Sequence, residues 1–289
     1  MRQAIISDIH GNEPALLAVM ADIEAQNVDE IVCLGDVIGY GPRPRQCLVA
    51  ALGYKLTLLG NHEEAVLFGA VGFNDKARKA IDWTREELLS GGSMDGDDAV
   101  ARDRQLWDFI GGLRKSEQDG EFAYVHGSPR DPTREYVFAQ DRFDQHKMNE
   151  IFASFDGRAC FMGHTHIPGV LEGDYSFRTP AGLGGTYAIG AKKALINVGS
   201  VGQPRDGDAR ACYVIFDFET VSYRRVAYDV EKVMRDFEDT PLPAYLARRL
   251  REVEELRGTP VVMVSGVRKE MNLPFGFEPD DTWLPVKQF

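Results

Sequence analysis

Ser7-Asp8-Ile9-His10-Gly11-Asn12 is the stretch on which the fold turns. The apolar run Ala4-Ile5-Ile6 before it reads as a short buried strand, which delivers a carboxylate and an imidazole two residues apart, then a glycine. In extended backbone, positions i and i+2 project to one side, so one cation can take an oxygen from Asp8 and a nitrogen from His10. Asp-x-His alone is a common pattern, equally compatible with a strand-end acid capping the next helix and a surface histidine. The rest of the chain decides between these by supplying further ligands or failing to.

Working outward, Leu16, Leu17, Met20 and Ile23 recur at helical spacing between Glu13 and Gln26, with Pro14 in the first turn. A second strand, Glu30 to Leu34, runs into Gly35-Asp36. The right-handed crossover of such a βαβ unit places both strand ends at one sheet edge, so Asp8, His10 and Asp36 should cluster. A helix from Pro44 to Leu52 and a strand from Lys55 to Leu59 follow, ending in Gly60-Asn61-His62-Glu63. From His62 to Leu113 the pattern is helical, with Asn74 as a cap, a loop over Gly91 to Asp98, and a helix around Leu106 and Trp107.

A strand from Glu121 to Val125 then delivers His126-Gly127, and Asp141 opens a helix to about Phe155. Ala159 to Met162 is a strand delivering Gly163-His164-Thr165-His166. Beyond it, strands at about 169–171, 194–198, 211–217 and 221–228 lack long intervening helices and predict a second, antiparallel or mixed sheet. Between two of them lies the glycine-rich loop Gly199 to Asp208. Helices are expected over 229–239 and 243–257. The expected organisation is one domain over 1–257 and an extension over 258–289 that packs on the domain or on a partner chain, a homodimer being one such arrangement.

Composition narrows the function classes. With 289 residues, 44% hydrophobic and 27% charged, the chain matches a globular enzyme rather than a disordered segment. Its 45 acids against 33 bases give a net charge of -12, which argues against long nucleic acids and anionic membranes as partners. Cys33, Cys47, Cys160 and Cys212 form no CxxC pair and read as reduced core thiols, so the expected location is cytoplasmic.

Five of the six histidines, His10, His62, His126, His164 and His166, lie at or just beyond strand ends beside glycine. With Asp8, Asp36 and Asn61 they are too many polar groups for one sheet edge unless something binds them, and two metal ions would do so. Mixed imidazole and oxygen donors suit Mn, Fe or Zn better than Ca or Mg, with Mn favoured. A shared carboxylate holds two ions at about 3.5–4 Å.

Taken in order, Asp8-x-His10, Gly35-Asp36, Gly60-Asn61-His62-Glu63, His126-Gly127 and Gly163-His164-Thr165-His166 resemble the motifs of the calcineurin-like metallophosphoesterase superfamily, over about Met1 to Asp229. The resemblance implies an α/β fold: a four-layer αββα sandwich of two mixed β-sheets flanked by helices, with a dinuclear metal site at the strand ends. It implies one ion on Asp8, His10, Asp36 and His166, and another on Asp36, Asn61, His126 and His164. Asp36 bridges them, and His62 becomes the catalytic residue that stabilises or protonates the leaving oxygen.

Protein serine/threonine phosphatases of that superfamily carry Asp-Arg-Gly where this chain has Gly39-Tyr40-Gly41. The acid that would orient His62 and the arginine that would clamp phosphate are therefore missing. Glu63 is the substitute for the first role, and Arg130 and Arg205 for the second, each competing with a salt bridge to Asp131 or Asp206. Gly39-Tyr40-Gly41-Pro42 and the Gly199 to Asp208 loop are more similar to the small bacterial phosphodiesterase-type branch, including some diadenosine tetraphosphate hydrolases. Tyr40 and Tyr136 are expected in the pocket wall.

The expected function is hydrolysis of phosphodiester or phosphoanhydride bonds in small nucleotide-like substrates, by in-line attack of a metal-bridging hydroxide. The alternatives are a phosphomonoesterase or protein phosphatase, disfavoured by the missing Asp-Arg-Gly, and an inactive metal-binding scaffold, as a retromer subunit with this fold is thought to be. A scaffold should have eroded ligands, and here every position is filled.

Overall fold

The computed structural model describes residues 1–90, 97–255, 261–263 and 283–285. Strand β1 (Gln3–Ile6), helix α1 (Glu13–Ala25), β2 (Glu30–Cys33), α2 (Pro44–Ala51) and β3 (Leu56–Thr57) form the expected alternation. Helix α1 is capped by Asn12, whose side chain accepts from Ala15 N, and not by Asp8. Helices α3 (Asn61–Phe68), α4 (Asp75–Leu89) and α5 (Asp97–Gly111) follow, α4 capped by Asn74 as expected. Most of the loop anticipated over Gly91 to Asp98 lies outside the described residues.

A hairpin, β4 (Ser116–Asp119) and β5 (Phe122–Val125), leads to α6 (Gln145–Ala153) and β6 (Ala159–Met162). Helix α6 starts four residues later than the sequence suggests. Asp144 caps it, while the Asp141 carboxylate accepts from Phe138 N and from Lys147 Nζ and so closes a preceding 3-10 turn. Then come β7 (Gly169–Glu172), β8 (Phe177–Arg178), β9 (Thr186–Ala188), β10 (Ala194–Asn197), β11 (Ala211–Phe216), β12 (Thr220–Val226), α7 (Val230–Glu238) and α8 (Ala244–Glu255).

One sheet has the order β3-β2-β1-β11-β12-β9 and the other β4-β5-β6-β10-β7-β8. Both are mixed: β1, β2 and β3 are parallel, as are β5, β6 and β10, and the remaining neighbours are antiparallel. The strands after His166 do not make a sheet of their own, contrary to the sequence expectation. They are dealt out between the two sheets, because β1 and β6 each have an edge whose backbone groups need a partner.

Side-chain alternation fixes the layers. Ala4 and Ile6 face outward onto Leu16, Val19 and Ile23 of α1, while Ile5 faces inward with Phe122, Tyr124, Phe161 and Ile196 of the other sheet. In the second sheet Ala123, Val125, Cys160 and Met162 face outward onto Met148, Ile151 and Phe152 of α6. Each central strand is buried on both faces, so it reads as a continuous apolar run without alternation. This is the expected αββα sandwich. The four cysteines are free and buried. No helix among the described residues is long and apolar enough to cross a membrane. Of the extension at 258–289, only β13 (Val261–Met263) and β14 (Trp283–Pro285), an antiparallel pair, are described; its packing lies outside the described residues.

Candidate metal centre

The ends of β1, β2, β5 and β6 meet at one edge of the sandwich. Asp8 N donates to Gly35 O at 3.0 Å, His10 N to Asp36 O at 2.9 Å, and Gly163 N to His126 O at 3.0 Å. The sheets are tied across the gap by His164 N, which donates to Asp8 Oδ2 at 3.0 Å. Extended geometry does not place these side chains, as the i, i+2 argument supposed. Asp8, His10, Asp36, His164 and His166 all have φ between 49° and 66°. Left-handed backbone at so many non-glycine residues costs energy, and it turns each side chain back toward one point. Close approach also requires glycine: a Cβ on Gly60 would lie 2.1 Å from Asp36 Oδ1.

The side chains converge on one buried cluster, and none of Asp8, His10, Asp36, His62, His126, His164 or His166 is more than 4% exposed. His10 Nε2 and His166 Nε2 are 3.1 Å apart, with Asp8 Oδ1 at 3.3 Å from His166 Nε2. Asp36 Oδ2 stands between the two groups, 3.7 Å from His10 Nε2 and 3.3 Å from His126 Nε2. His126 Nε2 is in turn 3.1 Å from His164 Nδ1 and from Asn61 Oδ1. The side chains Asp8, His10, His166 and Asp36, His126, His164 each form a set that can hold an ion; a third set, His10, Asp36 and His62, overlaps both.

The other ring nitrogens set the tautomers. His10 Nδ1 faces Ile38 O at 3.3 Å, His166 Nδ1 faces Gln203 O at 2.6 Å, and His164 Nε2 faces Arg134 O at 3.2 Å. Each carbonyl takes a ring N–H, which leaves the second nitrogen's lone pair directed inward. Two such lone pairs at 3.1 Å repel unless a proton or a cation lies between them. Asp8 Oδ1, also inward, is buried with no hydrogen-bond partner. The residues present therefore fit a pair of cations.

Electrostatics separates the two groups. Burial, then the neighbouring His62, push His10 well below the usual histidine range, and burial also lowers His166 and takes His164 to about 3. Burial disfavours a charge on His126 too, but Asp36 beside it prevails and pushes His126 up to about 9. Asp8 and Asp36 stay ionised: burial raises both, and the imidazoles around them, His166 and His126 respectively, outweigh it.

His62 lies beside this cluster, with Nε2 4.0 Å from Asp36 Oδ2. Its ring is held edge-on by Tyr40 and Phe73, at centroid distances of 4.4 and 5.2 Å, and burial lowers its pKa to about 4. Glu63 does not orient that ring. Its carboxylate accepts from the backbone N–H groups of Asp36, Ile38 and Gly60, which braces the loop carrying Asp36.

The two expected arginine clamps part company. Arg130 is taken up by Glu135 and Glu150 at the surface rather than by Asp131. Arg205 sits by His166: its N–H donates to His166 O, Nη2 donates to Gln203 Oε1 at 2.8 Å, and Nε is buried without a partner. Asp206 is occupied by Arg225 instead. Tyr40 lies against His10 as well as His62, and Tyr136 stacks on His164 with centroids 3.7 Å apart.

The loop after β10 does more than expected. Val201 N donates to Ser7 O, and Gly202 N and Ser200 Oγ to Asp8 O, so the loop grips the first motif. The carbonyls of Ile38, Arg134 and Gln203 left no signal in the sequence, since any residue supplies a carbonyl. Phe73 lay in an unremarkable helical stretch.

Fold and site together define a metal-dependent enzyme whose donors sit at the strand ends of a two-sheet sandwich. The family model for calcineurin-like phosphoesterase matches residues 1–168, and this chain belongs to that family of metallophosphoesterases. It is 34% identical over 258 residues to an uncharacterized protein of Methanocaldococcus jannaschii, across 86% of this chain and 96% of that one. It is 33% identical to the crystal structure of a metallophosphoesterase from Sphaerobacter thermophilus, covering 88% of this chain and 100% of that chain with a TM-score of 0.71. A hypothetical protein from Pyrococcus horikoshii shares the fold at 16% identity, covering 86% and 97% with a TM-score of 0.63.

Proposed function

We propose that the chain is a dinuclear phosphoesterase acting on phosphodiester or phosphoanhydride bonds of small nucleotide-like substrates. Asp8, His10, Asp36 and His166 would hold one ion, and Asp36, Asn61, His126 and His164 would hold the other. The observation that carries this is the set of imidazoles whose outer nitrogens are tied to backbone carbonyls while their inner nitrogens converge on two carboxylates. Such donors accept Mn, Fe or Zn, and ions held there neutralise phosphoryl oxygens and acidify a water.

The chain's own residues supply the rest. His62, neutral because it is buried, faces the cluster through Nε2 and donates a hydrogen bond to the leaving oxygen. Arg205 has a buried N–H without a partner, a group that costs about 1–3 kcal/mol until an acceptor such as a phosphoryl oxygen satisfies it. The -12 charge favours a small substrate drawn into a locally cationic site over a long polyanion.

The test is hydrolysis by Mn-loaded protein of an aryl phosphodiester, an aryl phosphomonoester and a panel of dinucleoside polyphosphates. Metal-dependent cleavage of the diester or the anhydrides is expected. Cleavage of the monoester alone would favour the phosphomonoesterase alternative, and no cleavage by metal-replete protein would leave the scaffold.

A further inference from the structure

Tyr136 is 42% exposed although its ring lies nearly parallel to that of buried His164, with planes 20° apart. Phe138, two residues on, is stacked with Tyr136 at 5.4 Å and only 4° from parallel. Between them Val137 is buried in the layer under α6, as extended alternation requires. The backbone is fixed as well: Lys147 Nζ donates to Tyr136 O at 3.0 Å, and Arg134 O accepts from His164. The result is a pair of parallel rings on braced chain, at the rim of the buried candidate metal cluster.

Position assigns the role. His62 has ring contacts with His10, Tyr40 and Phe73, whereas His164 has them with His126 and Tyr136; among the described residues no ring contact joins the two sets. A leaving oxygen within reach of His62 goes to the first end. Whatever reaches Tyr136, across Asp36 from it, is a substituent that stays on phosphorus.

We propose that Tyr136, with Phe138 beside it, is a stacking platform for a planar aromatic group, nucleobase or aryl, that remains on the phosphorus after cleavage. This rests on the phosphoesterase reading above and makes Tyr136 a specificity-determining residue. A monoester has no retained substituent to stack, so the platform selects diesters and substituted anhydrides. Parallel rings suit a flat partner, and stacking on an aromatic side chain tolerates any base because each has a π-face.

The test is inhibition of Mn-loaded protein, competing adenosine 5′-monophosphate and inorganic phosphate separately against an aryl phosphodiester. In Tyr136→Ala the inhibition constant for the nucleotide should rise about tenfold relative to that for phosphate, the scale of one lost stack. Tyr136→Phe should restore the wild-type ratio, and metal content by elemental analysis should match wild type in both variants. If both constants rise by the same factor in Tyr136→Ala, or metal is lost, Tyr136 only supports His164 and the platform is refuted. Wild-type protein that neither cleaves the diester nor binds phosphate would overturn the phosphoesterase reading itself, a failure seen without any variant.

Discussion

At the end of the cluster formed by Asp8, His10 and His166, hydrogen bonds arrive from the turn after β2 and from the loop after β10, and Tyr40 and His62 cover the His10 ring, with Phe73 against His62. At the end formed by His126 and His164, the cover is a half-exposed tyrosine and the carbonyl of a surface arginine, and His126 Nδ1 is buried without a partner. The charge states differ in the same sense. Burial lowers the pKa of His10 and His166, whereas the carboxylate of Asp36 raises that of His126. On the proposed function, the first end is preorganised to hold a cation and to face the leaving group, and the second would exchange a proton for its cation and face the rest of the substrate.

The largest effect that would break this comparison is at His62. His62→Ala should keep both ions and lose about 10²–10³ in kcat, as removal of a preorganised hydrogen-bond donor to the transition state does. Metal analysis beside steady-state kinetics checks it, and loss of an ion would make His62 a ligand of the first end. Next is the contrast between the arginines. Arg205→Ala should raise KM or lower kcat/KM about tenfold to a hundredfold, the worth of a charge-assisted hydrogen bond, while Arg130→Ala stays within about twofold. Equal effects of the two substitutions would sink the assignment of Arg205 as the clamp.

A smaller effect sharpens the difference in charge. In the metal-free protein His126 is charged below about 9, and a cation beside Asp36 takes the place of that proton. At pH 8 metal binding should therefore release about one proton from His126, and above pH 9 that release should fade. Calorimetry in buffers of different ionisation enthalpy measures it. Glu63, which burial raises to about 7, is largely ionised at pH 8 and contributes little. Release that persists undiminished well above pH 9 would show that the proton comes from elsewhere.

The sandwich was legible, and so was the gathering of polar strand-end residues, because each strand that leads to the site is a short apolar run followed at once by polar residues with a glycine close by. Hydrophobic continuity and turn chemistry are local signals. Which sheet receives a strand is not local: β10 and β11 are both apolar, and only the open edges of β6 and β1 separate them. Arg130 and Arg205 looked alike for the same reason, since each sits in a loop with an acid next door. Their fates depend on Glu135, Glu150 and Gln203, brought in by the fold. Glu63 was placed beside His62 by sequence adjacency, but a helical start turns its carboxylate onto the backbone of Asp36.

The central claim is that a single carboxylate joins the two ends. Metal stoichiometry of Asp36→Ala, measured by elemental analysis beside phosphodiester hydrolysis and a thermal melt that verifies folding, tests it most directly. The wild type should bind two ions per chain, and the folded variant should lose both together with hydrolysis. A folded Asp36→Ala protein that keeps two ions, or a wild type that saturates at one, would contradict the account.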